Sequence, residues 1–224
     1  MTSLRLPTVL SLLALAMLAA RMGISHSLGY AFFAWNLILA WAALALLSLG
    51  ESLWLAGGGR GEERRGSLLA LGVGALAWLF FPNTIYLVTD LVYAGHGRSL
   101  MRWCDAAMIG TFALAGVSLA IVWLERARLF VRERAGEAAS WAFSALVWTS
   151  SGAGVWLGRV RRWNSWDALL DPAGVLADAV EHFAHPRAHP ASWATLLVFA
   201  ALLAALHVGS TLAPAAPADA TAPR

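Results

Sequence analysis

Lysine is missing from the 224 residues; all sixteen basic residues are arginine. The absence alone carries no mechanism. Cysteine occurs once, as Cys104, which excludes an internal disulfide and leaves the redox compartment unread. Charge is scarce: 13% of residues are charged, against about 25% in soluble domains. The chain is 59% hydrophobic with a mean hydropathy of +0.65. These values come with long apolar runs, so lipid is the solvent for most of the chain. The net charge of +3 and pI near 9.7 could fit a nucleic-acid binder. The arginines, however, lie in short loops between apolar runs, which is the membrane-topology pattern. Lipid is the expected partner and nucleic acid is not. The chain holds no H-E-x-x-H, no phosphate-binding glycine loop and no G-x-S-x-G.

What is present is about six apolar runs, near 7–23, 28–50, 67–92, 105–124, 139–158 and 191–212. Each approaches or exceeds the roughly 20 helical residues that cross a hydrocarbon core. The expected fold is all-α, a polytopic transmembrane helical bundle plus one short interfacial amphipathic helix. Residues 1–212 read as one domain and 213–224 as a disordered Ala/Pro-rich tail. The first run has Arg5 and small Ala19–Ala20, as a cleaved signal peptide would. Its length and the immediate second run favour a retained span. GGGRGEERRG after the second run reads as a flexible linker, and ERARLFVRERAGE after the fourth as a solvated helix extension. With the N-terminus inside, nine arginines fall on the inner side and seven on the outer. If Arg159, Arg161 and Arg162 belong to a folded site, four remain outside. That assumption favours cytoplasmic termini in a bacterial inner membrane.

Two segments place polar chemistry at helix ends. In WLFFPNTIYLVTDLVY, Pro82 should kink the helix, and Asn83, Tyr86 and Asp90 share one face. A carboxylate in a span is costly and wants a partner unless it sits wet at headgroup level. In SSGAGVWLGRVRRWNSWD, Gly154 and Gly158 form a G-x-x-x-G pair, with Ser151 on the same side, that allows close helix approach. Arg159, Arg162 and Trp166 share a face if the helix continues. Arginine forks match carboxylates and phosphates, whereas Trp163 and Trp166 suit the membrane boundary. Asn164 and Asp167 have the spacing of a capping-box-like helix start.

FPNTIYLVTDLVY, the WCD at Trp103–Asp105 and LGRVRRWNSWD together resemble the bacterial membrane-protein family of domain of unknown function 1361. The resemblance runs from about Trp78 to Pro172. Matching positions are Pro82, Asn83, Tyr86, Thr89, Asp90, Asp105, Gly158, Arg159, Arg162, Trp163, Asn164, Ser165, Trp166 and Asp167. The chain departs at Ile85, where the family has proline, and at Val155–Trp156, where it has isoleucine and tyrosine. The resemblance implies a fold and a choice of residues, and no activity.

Asp171-Pro172 should start the amphipathic helix, with Val175, Leu176, Ala179, Val180 and Phe183 on one side. His182, His185 and His189 read as solvated loop histidines because Pro186 interrupts them. No metal or cofactor is expected. The candidate site is a polar cluster of Asn83, Tyr86, Asp90, Asp105, Arg159, Arg162, Trp163, Asn164, Trp166 and Asp167. In it Asp90 and Asp105 meet Arg159 and Arg162 on one membrane face. Spare arginine donors then serve an anionic lipid headgroup or another polar ligand. The alternatives are a membrane enzyme using Asp90 or Asp167 as acid/base on a lipid-linked substrate, or a structural or assembly role. Transport is less favoured, because only Asn36 and Asn83 are polar at depth. The oligomeric state is not readable. Asp90→Ala or Arg162→Ala should disturb the protein more than Arg128→Ala.

Overall fold

The computed structural model describes residues 3–57, 64–95 and 101–212. His96, most of the glycine-rich linker and the Ala/Pro tail lie outside them. Among the described residues the chain is helical, with no strand. In order these are α1 (Arg5–Ser25), α2 (Phe32–Ala56), α3 (Arg64–Phe80), α4 (Pro82–Thr89), α5 (Met101–Trp156), α6 (Asp167–Leu170), α7 (Pro172–Ala184) and α8 (Pro190–Leu212). Five helical segments are long and apolar enough to cross a membrane, the fourth covering Arg102–Arg161.

That fourth segment holds two crossings, as the runs near 105–124 and 139–158 predict. Gly136 has φ 87° and ψ 174°, a conformation essentially reserved for glycine, and it breaks α5 into arms of 101–135 and 137–156. A straight helix would place Gly116 and Gly154 about 57 Å apart. Both instead pack on α4: a Cβ on Gly116 would lie 2.3 Å from the Thr84 carbonyl, and one on Gly154 2.9 Å from Pro82 Cγ. The arms therefore fold back on each other and clamp α4 between them. Gly152 does the same against α8, where a Cβ would lie 2.3 Å from the Leu196 carbonyl. Small residues stand where backbones must meet, because apolar burial gives no drive between helices in lipid.

Pro82 ends α3 and begins α4 as its first residue. The carbonyl it cannot serve, that of Trp78, accepts the Phe81 N–H at 3.1 Å. The Phe80 carbonyl accepts the Asn83 side-chain amide at 2.8 Å, so the break leaves satisfied backbone. Phe81 on one side of this break packs against Trp123 in a tilted pair with centroids 4.5 Å apart, and both are buried.

The segment ERARLFVRERAGE extends the first arm of α5 to the turn at Gly136, with 132–137 exposed as expected. Its first half departs from that expectation. Arg128 is 5% exposed, with Glu125 at 2.8 Å, Glu137 at 3.2 Å and the Trp141 ring centroid at 4.8 Å. Buried His207 of α8 reaches Glu125 at 3.3 Å. The bundle thus has charged groups buried near both of its ends.

Candidate functional site

The polar end of the site is built where helix termini converge. Asp90 follows α4, at the start of a 3-10 turn spanning Asp90–Gly95, and is fully buried rather than wet at headgroup level. Its Oδ2 accepts the Asn36 amide at 3.0 Å. Its Oδ1 lies 3.1 Å from Arg159 Nη2, which directs its N–H to the Thr89 carbonyl at 2.8 Å. Arg159 also meets the Tyr86 hydroxyl at 3.5 Å, and its guanidinium lies 5.2 Å from the ring centroids of both Tyr86 and Tyr93. A buried carboxylate needs this much company, because desolvation of a lone charge costs several kcal/mol.

Asp105, at the start of α5, is 1% exposed and belongs to a separate pair. Arg21 of α1 holds it through two hydrogen bonds, at 2.5 and 3.2 Å, and Tyr30 adds its hydroxyl at 3.5 Å. Burial first, and then the Asp105 charge, push the Tyr30 phenol above its ordinary pKa.

The arginines after α5 diverge because the helix does not continue. Leu157–Arg161 widens into a π-turn, and Arg162 takes a left-handed conformation at φ 66°. The Leu157 carbonyl then accepts both the Arg162 N–H and, at 3.1 Å, that of Trp163. The shared face expected of Arg159, Arg162 and Trp166 is therefore lost. Arg159 turns to Asp90, Arg161 turns to Asp178 of α7, and Arg162 is exposed with no ion pair among the described residues.

The reversal at Arg162 swings Trp163 to Trp166 over the bundle as a roof. Trp163 Nε1 donates to Asp178 at 2.6 Å. Ser165 Oγ accepts the Asn83 amide at 2.8 Å, and Trp166 meets Trp35 of α2 edge-on at 6.3 Å. Asp167 Oδ2 accepts the Asn164 backbone N–H at 2.6 Å, half of a capping box. Asp171 caps α7 through the Gly174 N–H at 3.0 Å.

The amphipathic helix α7 turns a polar face inward. Asp178 and His182 are buried, whereas Leu176 and Val180 of the apolar side are exposed. His182 is therefore no solvated loop residue: its ring lies 4.5 Å from that of His189. Asp178, Glu181 and His182 bring possible ligand atoms within 4.8 Å of one another. Both Asp178 oxygens nevertheless accept Arg161 Nε, at 2.9 and 2.8 Å, so a cation already stands there. Burial opposes the Asp178 charge, but the hydrogen bonds from Arg161 and Trp163 and the charges of Arg161 and His182 outweigh it. The carboxyl is held below the usual aspartate range.

Beneath the roof lies a cavity of about 480 Å³. Its polar lining is Asn36, Asn83, Tyr86, Ser150, Asn164 and Ser165, with Trp35, Trp78 and Trp163 supplying aromatic faces. Asp90 and Arg159 do not line it. They stand behind Asn36 and Tyr86 and fix both. Among the described residues the lining holds no carboxylate, arginine or histidine. Asn36, Trp35, Arg21, Arg161 and Asp178 were outside the sequence-derived cluster. Asn36 was the one amide inside an otherwise apolar run, and Arg21 the one arginine closing the first run; nothing in sequence tied either to its partner.

No curated protein and no solved structure matches the chain. A family model, that of a protein of unknown function (DUF1361), matches residues 35–206, which takes in Asn36, Asp90, Asp105, Arg159, the roof and the whole cavity lining. The chain, whose long apolar helices are those of a multipass membrane protein, belongs to that family of unknown function.

Proposed function

We propose that the protein binds a polar ligand in the roofed cavity, the uncharged hydrogen-bonding head of a membrane amphiphile. One observation carries this reading: a 480 Å³ cavity at one end of a membrane bundle is lined by amides, hydroxyls and indoles, with the charged pair held behind it. Such volumes, mostly apolar with a few convergent polar groups, are those of ligand sites. Amides and hydroxyls both donate and accept, so they suit hydroxyl-rich heads. Anionic heads fit less well, because the Arg159 and Arg161 donors are already engaged by Asp90, Thr89 and Asp178. An acid/base enzyme fits less well for the same reason, since Asp90 is sealed away from the cavity.

In this reading the cavity opens to the outer side of a bacterial inner membrane, with both termini cytoplasmic. With Arg159 and Arg161 committed to carboxylates and Arg162 free, nine arginines stand on the inner side against five outside, which supports that orientation. Native mass spectrometry of the full chain, titrated with monoacylglycerol and with lysophosphatidic acid of equal chain length, tests the proposal. The neutral lipid should bind more tightly, and Asn83→Leu should weaken it about tenfold, the loss of one or two hydrogen bonds with a buried partner left unpaired. Equal binding to wild type and variant, or preference for the phosphate head, would refute it.

A further inference from the structure

A second cavity of about 300 Å³ lies deeper in the bundle. Its wall is apolar except for Glu51, at its far end, which Arg126 holds in an ion pair. Ala75 and Trp78 line both cavities, so the two share a partition.

The sequence of α3 and α4 places the two cavities end to end. Ala70, Leu71, Gly74, Ala75 and Trp78 line the deeper cavity. Leu79, Pro82, Asn83 and Tyr86 carry the same helical stripe into the upper one. The positions repeat at i, i+1, i+4 and i+5, a stripe that winds round the helix by about 40° per turn. From Ala70 to Tyr86 the stripe is about 24 Å long, much of a hydrocarbon core. It is small and apolar below and polar above. Leu71 is 58% exposed, so the lower part opens toward the acyl chains. On the other edge α2 seals it, a Cβ on Gly50 lying 3.4 Å from the Ala70 carbonyl. Trp78 forms the neck: its Nε1 donates to Ser150 Oγ at 2.9 Å, and its ring lies 5.9 Å from Phe143.

We propose that this stripe is the seat of a single hydrocarbon chain, which runs past Trp78 into the deeper cavity while its polar head occupies the upper one. The inference rests on the head-binding reading and adds the class of ligand, an amphiphile with a chain long enough to pass the neck. Lipid is the occupant because the lower cavity is apolar, lies within the spanning helices and adjoins the polar one across Trp78.

The test uses the full chain in lipid nanodiscs and two photoreactive monoacylglycerols, one with a diazirine at the chain end and one with it on the glycerol. Chain-end adducts should map to 70–78 and Phe143, and head adducts to Asn83 and 163–165. A Cβ on Gly74 meets nothing within 4 Å, so Gly74→Leu fills the lower cavity without a backbone clash. Excluding even two methylenes lowers affinity about tenfold. Gly74→Leu should therefore weaken a long-chain probe by at least that factor and leave a short-chain one unchanged. Chain-end adducts only on outward-facing Leu68 and Leu69, or equal long-chain labelling in the variant, would overturn the chain path and leave the head site standing. Head adducts absent from both head segments would overturn the head reading as well. The wild-type mapping needs no variant to fold.

Discussion

At the residue scale the decisive fact is which arginine faces which acid. Asp90 is fully buried and Arg159 is its only cationic partner among the described residues. Removing one member of such a pair typically costs about 3–5 kcal/mol, because the survivor stays buried and uncompensated. Arg159→Met should therefore destabilise the purified protein by that order in a detergent unfolding series. Arg128→Ala should also be severe, by about 2–4 kcal/mol, since it strands Glu125 beside His207 and bares the Trp141 face. Arg162→Ala should stay within about 0.5 kcal/mol, as exposed residues without partners do. This reverses the ranking that the sequence invites for Arg128 and Arg162. The sequence shows three arginines within four positions. It does not show that a left-handed residue sends them in three directions.

At the element scale the bundle depends on glycines that admit backbone. A methyl group on Gly152 would lie 2.3 Å from the Leu196 carbonyl, and Gly72 has nothing within 4 Å. Gly152→Ala should cost about 1–3 kcal/mol by forcing α8 away, and Gly72→Ala should be neutral in the same unfolding assay. Gly136→Ala has room, but its backbone angles are closed to alanine, so it should cost about 1–3 kcal/mol and loosen the hairpin. The docking of α7 adds a pH dependence. Asp178 has a folded pKa below its unfolded value, so its contribution is complete above the ordinary aspartate range and is lost as pH falls through the lower folded value. Arg161, Trp163, His182 and the nearby Glu181 all face this group. Hydrogen exchange over 161–184 should rise sharply only in that acidic window, and Asp178→Asn should show the raised exchange at neutral pH. A variant with wild-type protection at neutral pH would count against the ion pair as the clamp. Much of this scale is legible beforehand. The apolar runs give the crossings, and Asp171-Pro172 gives the start of α7. The inward turn of Asp178 and His182 is not legible, because a hydrophobic stripe names the lipid face of a helix as readily as its protein face.

At the scale of the whole molecule, six crossings bring the ends of α1, α4 and the second arm of α5 to one side, with the start of α2 and the first arm of α5. Asp105, Asp90 and Arg159 meet their partners there. Crossing number, and with it the shared side of the two polar segments, follows from hydropathy alone. Partner choice does not, because Asp105 with Arg21 and Asp90 with Asn36 join residues more than fifty positions apart. The cavity is legible only once the roof is folded over it, since Ser165 and Asn164 come from a segment whose helix has already ended. What fills that space decides the function. A cryo-electron microscopy map of the full chain, extracted from its own membrane into lipid nanodiscs, tests this most directly. The predicted result is non-protein density within hydrogen-bond reach of Asn83, Asn164 and Ser165, with the Asp90–Arg159 pair intact behind it. A cavity closed by the protein's own side chains, or ligand density bonded to Asp90 itself, would contradict the account.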